Sequence, residues 1–419
     1  MSNQSQTDNS IPVYTIDASI SALFTSHTTT TQGECDKRAT SLLSAPVTPV
    51  PIQGAFSYTV VGGSPPRLVQ FRCSESDIDM NLLHLARSIH GGLVASTISH
   101  GHIGRCQPLS IYIIERLPGI TYMESCLTNG VTAALSPQQS QRQKNTVIDF
   151  ARFFAASWKA PQPMEARSVQ DSFMSKLQLL AQKLPSRFFD SVEELSNNLS
   201  LLFSEGYPAV LTHGDLCEMN FLVDPETGHL TGVIDWAEAG ILPFGCALWG
   251  LENILGFMDR RGWHYFDSYQ ELEDLFWRSF KDSVGETLDG TWRAIQVARR
   301  IGILFRYGFR WDEALRERII VENDSGMKLR QCRTRVSQWG KDKNVKPQEM
   351  EAIVQERQKR RLVETDKGPL VFEVRGGPAE PQKIGWWMNQ HDVAESFLYA
   401  PSPAASTPST VGCHTISDS

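Results

Sequence analysis

The sequence predicts an α+β fold with two lobes, a small β-rich N-lobe and a larger, mainly helical C-lobe. Strand patterns dominate residues 46–118, whereas helical periodicity dominates residues 119–340. Polar stretches of low complexity flank these two regions. Hydrophobic residues make up 41% of the 419 residues and charged residues 21%, which is typical of a globular protein with a large core.

The N-lobe is predicted from three strand signals and one helix signal. Residues 49–63 read as a hairpin whose turn carries Gly54, and residues 64–74 and 109–119 supply two further strands. Residues 76–92 show helical spacing and stop at Gly91. The apolar positions expected to face the core of this helix are Ile78, Leu82, Leu85 and Ile89.

The C-lobe is predicted from helices at 145–161, 191–206, 268–280 and 291–309. The first has a predicted buried face of Val147, Ala151, Phe154 and Trp158. The second has one of Val192, Leu195, Leu199 and Leu202. Between them, residues 209–236 read as strand, loop, strand, turn and strand.

The chain ends are predicted to be tails. Residues 1–45 are rich in Ser, Thr, Gln and Asn and read as a flexible N-terminal tail, with one short ordered piece around residues 11–24. Residues 341–419 contain a charged helix at 347–364 and then a low-complexity C-terminal tail. The first ten residues lack a secretory signal pattern, and no apolar run approaches the roughly 20 residues of a membrane span.

Charge and cysteine usage exclude some functional classes. The formal net charge of -7 disfavours a nucleic-acid-binding protein. The eight cysteines form no C-x-x-C pair, so a zinc or dithiol motif has little support, and we expect a reduced, cytoplasmic protein.

The strongest chemical signal is His213-Gly214-Asp215, followed by Asn220 and then by Asp235 at the end of an apolar strand. Phosphoryl transfer requires a positioned acceptor and cations that neutralise phosphate charge. Asp215 could accept a hydroxyl proton, while Asn220 and Asp235 supply the oxygen ligands that Mg²⁺ prefers. An isolated H-G-D string would be an ordinary turn, but the joint pattern at this spacing is rare by chance.

These letters resemble the H-G-D-x-x-x-x-N and I-D-W signatures of the aminoglycoside and choline phosphotransferase family, which has a protein-kinase-like fold. The segments QGAFSYTV, LARSIHG and IERLPG resemble fungal members most. The resemblance implies ATP and Mg²⁺ as cofactors and a small-molecule hydroxyl acceptor that is aminoglycoside-, choline- or secondary-metabolite-like. It implies a nucleotide-binding N-lobe at 46–118 and a catalytic, substrate-binding C-lobe at 119–340.

The same resemblance assigns roles to individual residues. Asp215 would be the catalytic base and His213 would support its loop, while Asn220 and Asp235 would hold Mg²⁺. The backbone of Glu115 to Leu117, in the segment between the lobes, would contact adenine.

The phosphate-binding side of the nucleotide site is less clear from the sequence. Gly54 and Ser57 could contact phosphate in a covering loop, or they could belong to a plain hairpin turn. Arg72 stands where the family has a lysine, and Gln70 stands where it has a small residue. Arg72 could clamp phosphate or be a surface arginine. The acid that would pair with it is left open among Glu75, Asp77 and Asp79.

Two alternatives to a small-molecule kinase remain open. The substitutions at Gln70 and Arg72 allow an inactive pseudokinase that acts as a nucleotide-binding or interaction scaffold. A protein kinase is disfavoured because no A-P-E segment follows Asp235. The sequence leaves the acceptor and the oligomeric state open. Residues that could form an acidic wall for a cationic substrate, or be ordinary solvated surface, are Glu218, Glu238 and Glu252.

Overall fold

The computed structural model describes residues 15–130, 132–184, 186–259, 262–285, 288, 290–311 and 317–319. The predicted charged helix at 347–364 and the C-terminal tail lie outside these residues. Within the described part of the chain, no helix is long and apolar enough to cross a membrane.

The chain forms ten α-helices and fourteen strands within the described residues. The helices are α1 (Ile16–Ser26), α2 (Gln32–Leu43), α3 (Met80–His90), α4 (Tyr122–Asn129), α5 (Pro137–Trp158), α6 (Ala166–Lys183), α7 (Phe189–Asn198), α8 (Trp249–Ile254), α9 (Tyr269–Val284) and α10 (Trp292–Gly308). The strands are β1 (Val47–Pro49), β2 (Ser57–Gly62), β3 (Arg67–Cys73), β4 (Thr97–Ile103), β5 (Leu109–Glu115), β6 (Ile120–Thr121), β7 (Ala209–Thr212), β8 (Phe221–Val223), β9 (Leu230–Val233), β10 (Gly240–Pro243), β11 (Gly256–Asp259), β12 (Gly262–Tyr265), β13 (Phe309–Trp311) and β14 (Glu317–Ile319).

The N-lobe is an antiparallel sheet of five strands in the order β1-β2-β3-β5-β4. Successive side chains of β3 point to opposite faces, as the period of two requires. Leu68, Gln70 and Arg72 therefore face the cleft between the lobes, and they line it. Val69 and Phe71 point the other way into a separate core. The predicted β-rich N-lobe is confirmed, and β4 is a strand that the sequence analysis did not predict.

Helices α1 and α2 lie in the predicted N-terminal tail at 1–45. Helix α1 overlaps the short ordered piece expected around residues 11–24, whereas the prediction of a flexible tail is wrong for α2. Thr15 caps α1, and Thr31 and Glu34 form a capping box at the start of α2. Both helices cover the outer face of the N-lobe sheet. Their buried side chains, which pack with Tyr58, Val60, Val69 and Phe71, are Ile20, Leu23, Cys35 and Ala39.

Helix α3 follows β3 as predicted, but its buried face is shifted by one residue. Asp79 caps its start and Gly91 follows its last residue with φ 60°, which confirms the predicted stop. The fully buried side chains are Leu83, Ala86 and His90. The four predicted core positions, which are only partly buried, are Ile78, Leu82, Leu85 and Ile89.

The C-lobe is built around α5, which packs against α9. The predicted buried faces are confirmed, because the eight apolar residues expected at 147–158 and 192–202 are all buried. The helix predicted at 191–206 is α7 followed by a 3-10 helix at Leu199–Phe203, which carries Leu199 and Leu202. Trp236, Trp249 and Trp263 are also buried. Elements missed by the sequence analysis are α4, α6, α8, β10 and the β11–β12 hairpin.

Candidate active site

A hairpin in the C-lobe places Asn220 and Asp235 side by side. Asn220 directly precedes β8, and Asp235 follows β9 by two residues. The Ile234 N–H donates to the Asn220 carbonyl oxygen over 2.8 Å, which ties the two strand ends together. At the other end of the hairpin, Asp224 accepts hydrogen bonds from the N–H groups of Glu226 and Thr227. The predicted turn at 224–228 therefore sets the register that aligns the two polar residues.

His213 connects the loop of Asp215 to the end of β9. Its Nε2 lies 2.8 Å from the carbonyl oxygen of Ile234, so Nε2 must carry the proton. Its Nδ1 then accepts from the Asp215 backbone N–H over 3.2 Å. Burial lowers the pKa of the His213 imidazole, whereas the charge of Asp215 acts to raise it. Burial is the larger effect, so the neutral ring is favoured. Both ring nitrogens are thus used to hold backbone, which suits a supporting role for His213 and leaves none for proton transfer.

The Asp215 carboxylate is buried and held from both sides. The Asn220 Nδ2 donates to its Oδ2 over 2.8 Å, and also to the Asp215 carbonyl oxygen. Its other oxygen, Oδ1, lies 2.5 Å from the Arg306 Nη2 of α10. Gly214 has φ +84°, and a Cβ there would collide with the backbone oxygen of Glu238. The loop geometry therefore requires glycine before the candidate base.

Three buried side-chain oxygens in this site lack a hydrogen-bond partner. One is Asp215 Oδ1, which forms the ion pair with Arg306, and the other two are the pair Asn220 Oδ1 and Asp235 Oδ2. An unpaired buried polar atom is unfavourable by roughly 1–3 kcal/mol, so such atoms usually await a ligand. Amide and carboxylate oxygens are the donors that Mg²⁺ selects, with substrate phosphates completing its shell. Within the described residues no cluster of three or more His, Cys, Asp or Glu could hold a metal by itself. The pair therefore fits a cation that arrives with phosphate.

Asp235 adopts a backbone conformation that is uncommon for a non-glycine residue, with φ 58°. Such conformations are strained by about 1–3 kcal/mol and occur often in functional sites. Its Oδ1 pairs with the Arg72 Nη1 at 3.3 Å, so one carboxylate oxygen faces the N-lobe and the other is the unpartnered Oδ2. The carboxylate therefore links the two lobes at the cleft.

Arg72 is buried and is not a surface arginine. Its Nε and Nη2 donate to the carbonyl oxygen and the hydroxyl of Ser76, each over 2.6 Å. Its Nη1 donates to the Gln70 Oε1 over 3.1 Å as well as to Asp235. Gln70 in turn donates to the Thr59 hydroxyl. The family's lysine position thus carries a guanidinium that is fixed over the candidate metal ligand.

The acids considered as partners of Arg72 have other contacts. Asp77 accepts from the Tyr112 hydroxyl over 3.2 Å, and Asp79 caps α3 through the N–H groups of Asn81 and Leu82. Glu75 accepts from the Ser74 hydroxyl. The acid that pairs with Arg72 is Asp235, from the opposite lobe.

A cleft lies between the lobes. Its walls are mainly apolar, and its polar lining includes Gln70, Arg72 and Asp235. Glu115, Arg116 and Leu117, which connect the lobes, also line it. This cleft brings the predicted adenine-contacting segment and the candidate metal ligand Asp235 to one cavity, as a nucleotide site requires.

Gly54 and Ser57 lie in and after the connection from β1 to β2. Both are buried, and Ser57 is paired with Arg72 across the sheet. The Gln53 side chain closes this connection by bonding to the backbone of Val50 and Thr59. Neither Gly54 nor Ser57 is among the residues that line the cleft, so a phosphate contact at these two positions stays a prediction.

Arg306 and Trp249 are site residues that the sequence analysis missed. The Arg306 guanidinium lies over the Trp249 ring, 4.7 Å from its centroid, while it pairs with Asp215. Although burial opposes the charged form, Asp215 and Glu238 raise the pKa of Arg306. Arg299 lies two turns earlier on the same face of α10 and pairs with Glu252 and Glu273. The sequence did contain a signal for these contacts. Arg299 and Arg306 lie seven residues apart in an otherwise apolar helix, and a buried arginine needs a carboxylate partner.

The three glutamates considered for an acidic wall have different environments. Glu252 is buried, pairs with Arg299 at 2.5 Å and accepts from the Tyr265 hydroxyl, so it is structural. Glu218 is also buried, which makes the solvated-surface interpretation wrong for both. Glu238 is exposed overall, yet desolvation of its carboxyl and the charge of Asp215 raise its pKa. No wall of three exposed carboxylates is formed.

Comparison with known proteins agrees with the motif. Residues 79–264 match the model of the phosphotransferase enzyme family, APH, so the predicted resemblance is confirmed over this segment. A comparison with curated proteins finds no match. The predicted protein-kinase-like α+β fold is confirmed by the antiparallel N-lobe sheet and the mainly helical C-lobe.

Solved structures similar to this chain have low sequence identity. The aminoglycoside phosphotransferase APH(3'')-Id from Streptomyces rimosus is 14% identical, with 64% of this chain and 97% of that chain covered and a TM-score of 0.39. A macrolide 2'-phosphotransferase from Brachybacterium faecium is 13% identical, with 64% and 89% covered and a TM-score of 0.40. An ethanolamine kinase from Plasmodium vivax is 14% identical, with 62% and 74% covered and a TM-score of 0.38.

Proposed function

We propose that this protein transfers the γ-phosphoryl group of ATP, with Mg²⁺, to a hydroxyl group of a small molecule. The observation that carries the proposal is the pair of unpartnered buried oxygens, Asn220 Oδ1 and Asp235 Oδ2, next to the buried carboxylate of Asp215. One amide and one carboxylate for a cation, beside a carboxylate for a hydroxyl proton, form a minimal phosphotransfer set.

The residues divide the reaction between them. Asp215 takes the proton of the acceptor hydroxyl as the acceptor oxygen bonds to phosphorus and the bond from phosphorus to the ADP oxygen breaks. His213 and Asn220 hold the Asp215 loop and carboxylate in place. Bound Mg²⁺ would neutralise phosphate charge, and the oxygens of Asn220 and Asp235 would hold it. The apolar cleft walls exclude water, which strengthens each of these electrostatic contacts.

The test is the turnover of Asp215→Asn. This change keeps the shape of the side chain and an oxygen acceptor but removes the charge partner of Arg306, so folding and ATP binding of the variant are measured before its turnover is compared. ATP-dependent phosphorylation should fall roughly 10²- to 10⁴-fold, the usual contribution of a positioned acid–base group. Formation of ADP and phosphomonoester is the measurement. A folded Asp215→Asn protein with unchanged turnover removes Asp215 from the mechanism.

A second candidate function is a nucleotide-binding scaffold without turnover. It is favoured by the contact of Arg72 with Asp235, because this guanidinium already neutralises the metal ligand and is fixed by Ser76 and Gln70. Calorimetric titration with ATP, with and without Mg²⁺, separates the two. Binding of ATP that is independent of Mg²⁺ and without ADP formation supports the scaffold, whereas Mg²⁺-dependent binding with turnover supports the kinase.

A further inference from the structure

Arg306 is the cation next to the candidate base. Its Nη2 lies 2.5 Å from Asp215 Oδ1, and its side chain is 28% exposed. The Trp249 ring, 4.7 Å below the guanidinium, fixes the plane of this head group. A guanidinium has five N–H donors, so the contact with one carboxylate oxygen leaves further donors on this partly exposed head group.

The two oxygens of Asp215 face different sides of the site. Oδ2 is held by Asn220, whose own Oδ1 is one of the two unpartnered oxygens proposed to hold the cation. Oδ1 is the oxygen that contacts Arg306. Arg306 therefore lies on the side of Asp215 away from the proposed cation, where the acceptor hydroxyl must approach.

The charges around this side are of both signs. Glu252 is neutralised by Arg299 inside the C-lobe, whereas Glu238 is the exposed glutamate of the three considered and, together with Asp215, acts on Arg306. Arg306 is a group on this side that can bind an acceptor carboxylate, because a guanidinium can hold the two carboxylate oxygens in bidentate fashion.

We propose that the acceptor is a hydroxy acid whose carboxylate binds Arg306, an inference that rests on the proposed phosphotransfer. The acceptor carboxylate replaces Asp215 Oδ1 as the partner of Arg306, so the guanidinium stays paired while Asp215 Oδ1 becomes free to face the acceptor hydroxyl. Asp215 Oδ1 then accepts the hydroxyl proton, while the acceptor oxygen bonds to the γ-phosphorus and ADP leaves with the electrons of the broken bond. Arg306 thereby selects the substrate by charge and releases the base when that substrate binds.

The experiment compares acceptors that differ in charge, using the full chain with ATP and Mg²⁺. Glycerate and gluconate are the hydroxy-acid probes, glycerol and glucitol are the matched neutral probes, and ethanolamine and kanamycin are the cationic probes. ADP release and phosphorus NMR report the transfer. We expect the acids to be phosphorylated in preference to both other classes.

Arg306→Gln should raise the KM for the acids roughly 10- to 100-fold, the equivalent of one charge-assisted contact, with a smaller change in kcat. Arg306→Lys should restore part of the affinity. The matched control is Arg300→Gln on the same helix, because Arg300 pairs with Glu194 and not with Asp215. This control should leave both kinetic constants unchanged.

The outcomes separate this inference from the proposed function. Preferential transfer to ethanolamine, kanamycin or the neutral polyols overturns the hydroxy-acid inference while phosphotransfer stands. The same holds if millimolar acids do not raise ADP release above the neutral probes. An equal fall of basal ATP hydrolysis and of every acceptor in Arg306→Gln also overturns it, because Arg306 would then only position Asp215 or contact phosphate. Absence of any ATP binding or hydrolysis in the wild type refutes the proposed function itself.

Discussion

At the residue scale, the site depends on two backbone conformations with positive φ. Gly214 precedes the candidate base with φ +84°, and Asp235 carries an unpartnered carboxylate oxygen at φ 58°. Only glycine adopts the first without strain, and aspartate tolerates the second better than most residues. At these two positions the geometry of the site imposes a backbone conformation that most residues disfavour. Such conformations are common at functional sites.

Gly214→Ala should test how tightly the loop is packed. Gly206→Ala is the matched control, because Gly206 has φ +82° but a Cβ added there would meet no atom within 4 Å. The control should lose only about 1–2 kcal/mol of unfolding free energy, the strain of alanine in this region. Gly214→Ala should lose more and also lose turnover, because its methyl group displaces the backbone at Glu238. Equal unfolding free energies for the two variants would contradict this packing.

Asp235→Asn should weaken the Mg²⁺-dependent part of the stabilisation by ATP, because the amide oxygen that remains carries no negative charge. A molecule that binds only the folded protein raises the unfolding free energy, and the increase grows with its affinity and concentration. Loss of a residue that holds Mg²⁺ therefore appears as a smaller shift in Tm. Tm is measured with ATP alone and then with ATP and Mg²⁺. The control is Glu226→Gln on the turn of the same hairpin, where the side chain is 82% exposed. A Mg²⁺ shift in Asp235→Asn equal to that of the wild type would exclude Asp235 as a ligand.

The sequence predicted the local part of the site and missed the distant part. His213, Asp215 and Asn220 could be read together because one loop carries them, and Asp235 because one hairpin returns to that loop. Arg306 could not be read, because α10 reaches Asp215 only through the packing of the C-lobe. The role of Arg72 stayed open for the same reason, since its acid partner is on the opposite lobe.

At the element scale, regular amphipathic helices were predictable and sparse ones were not. Helices α5 and α7 bury apolar residues at regular three- and four-residue spacing, so their faces were predicted correctly. Helices α1 and α2 bury only Ile20, Leu23, Cys35 and Ala39, and polar residues dominate between them. These two helices are stabilised by their N-terminal caps and by packing on the sheet. Amino-acid composition reveals neither of these contacts.

Leu23→Ala should show that α1 is part of the N-lobe core. Leu23 is 1% exposed and packs in the cluster under the sheet, so its truncation should reduce the unfolding free energy by about 2–5 kcal/mol. Leu179→Ala on α6 is the control, because this leucine is 45% exposed and should change stability by less than about 0.5 kcal/mol. Denaturant unfolding gives both values. If Leu23→Ala resembles its control, α1 does not stabilise the lobe.

At the scale of the whole molecule, aromatic stacking joins the N-lobe helix α3 to the loop of Asp215. The His90 ring of α3 stacks on Phe153 at 4.0 Å and lies 5.7 Å from the Trp236 ring. The Trp236 ring also lies 4.6 Å from the ring of His213, in the loop of Asp215. Two neutral histidines thus flank one buried tryptophan, next to the residues proposed to bind the cation.

This stack predicts that the protein loses stability in acid. Burial, and to a lesser extent His213, lowers the pKa of His90 from its ordinary value of 6.5 to about 3. When the pH falls below 6.5, the unfolded chain therefore binds this proton while the folded chain does not. The unfolding free energy should decrease by about 1.4 kcal/mol per pH unit for this histidine between pH 6.5 and about 3, and His90 should contribute no slope above that window.

His90→Gln should make this slope shallower, whatever it does to the absolute stability, because glutamine does not titrate. The control is His102→Gln on strand β4, where the imidazole is exposed in the folded protein. Denaturant unfolding at a series of pH values gives the slope for each protein, and the comparison of slopes is insensitive to a uniform loss of stability. A wild-type slope that His90→Gln and His102→Gln reduce equally would show that the buried stack does not control acid unfolding. A selective reduction in His90→Gln would show that acid unfolding depends on the buried His90 ring staying uncharged.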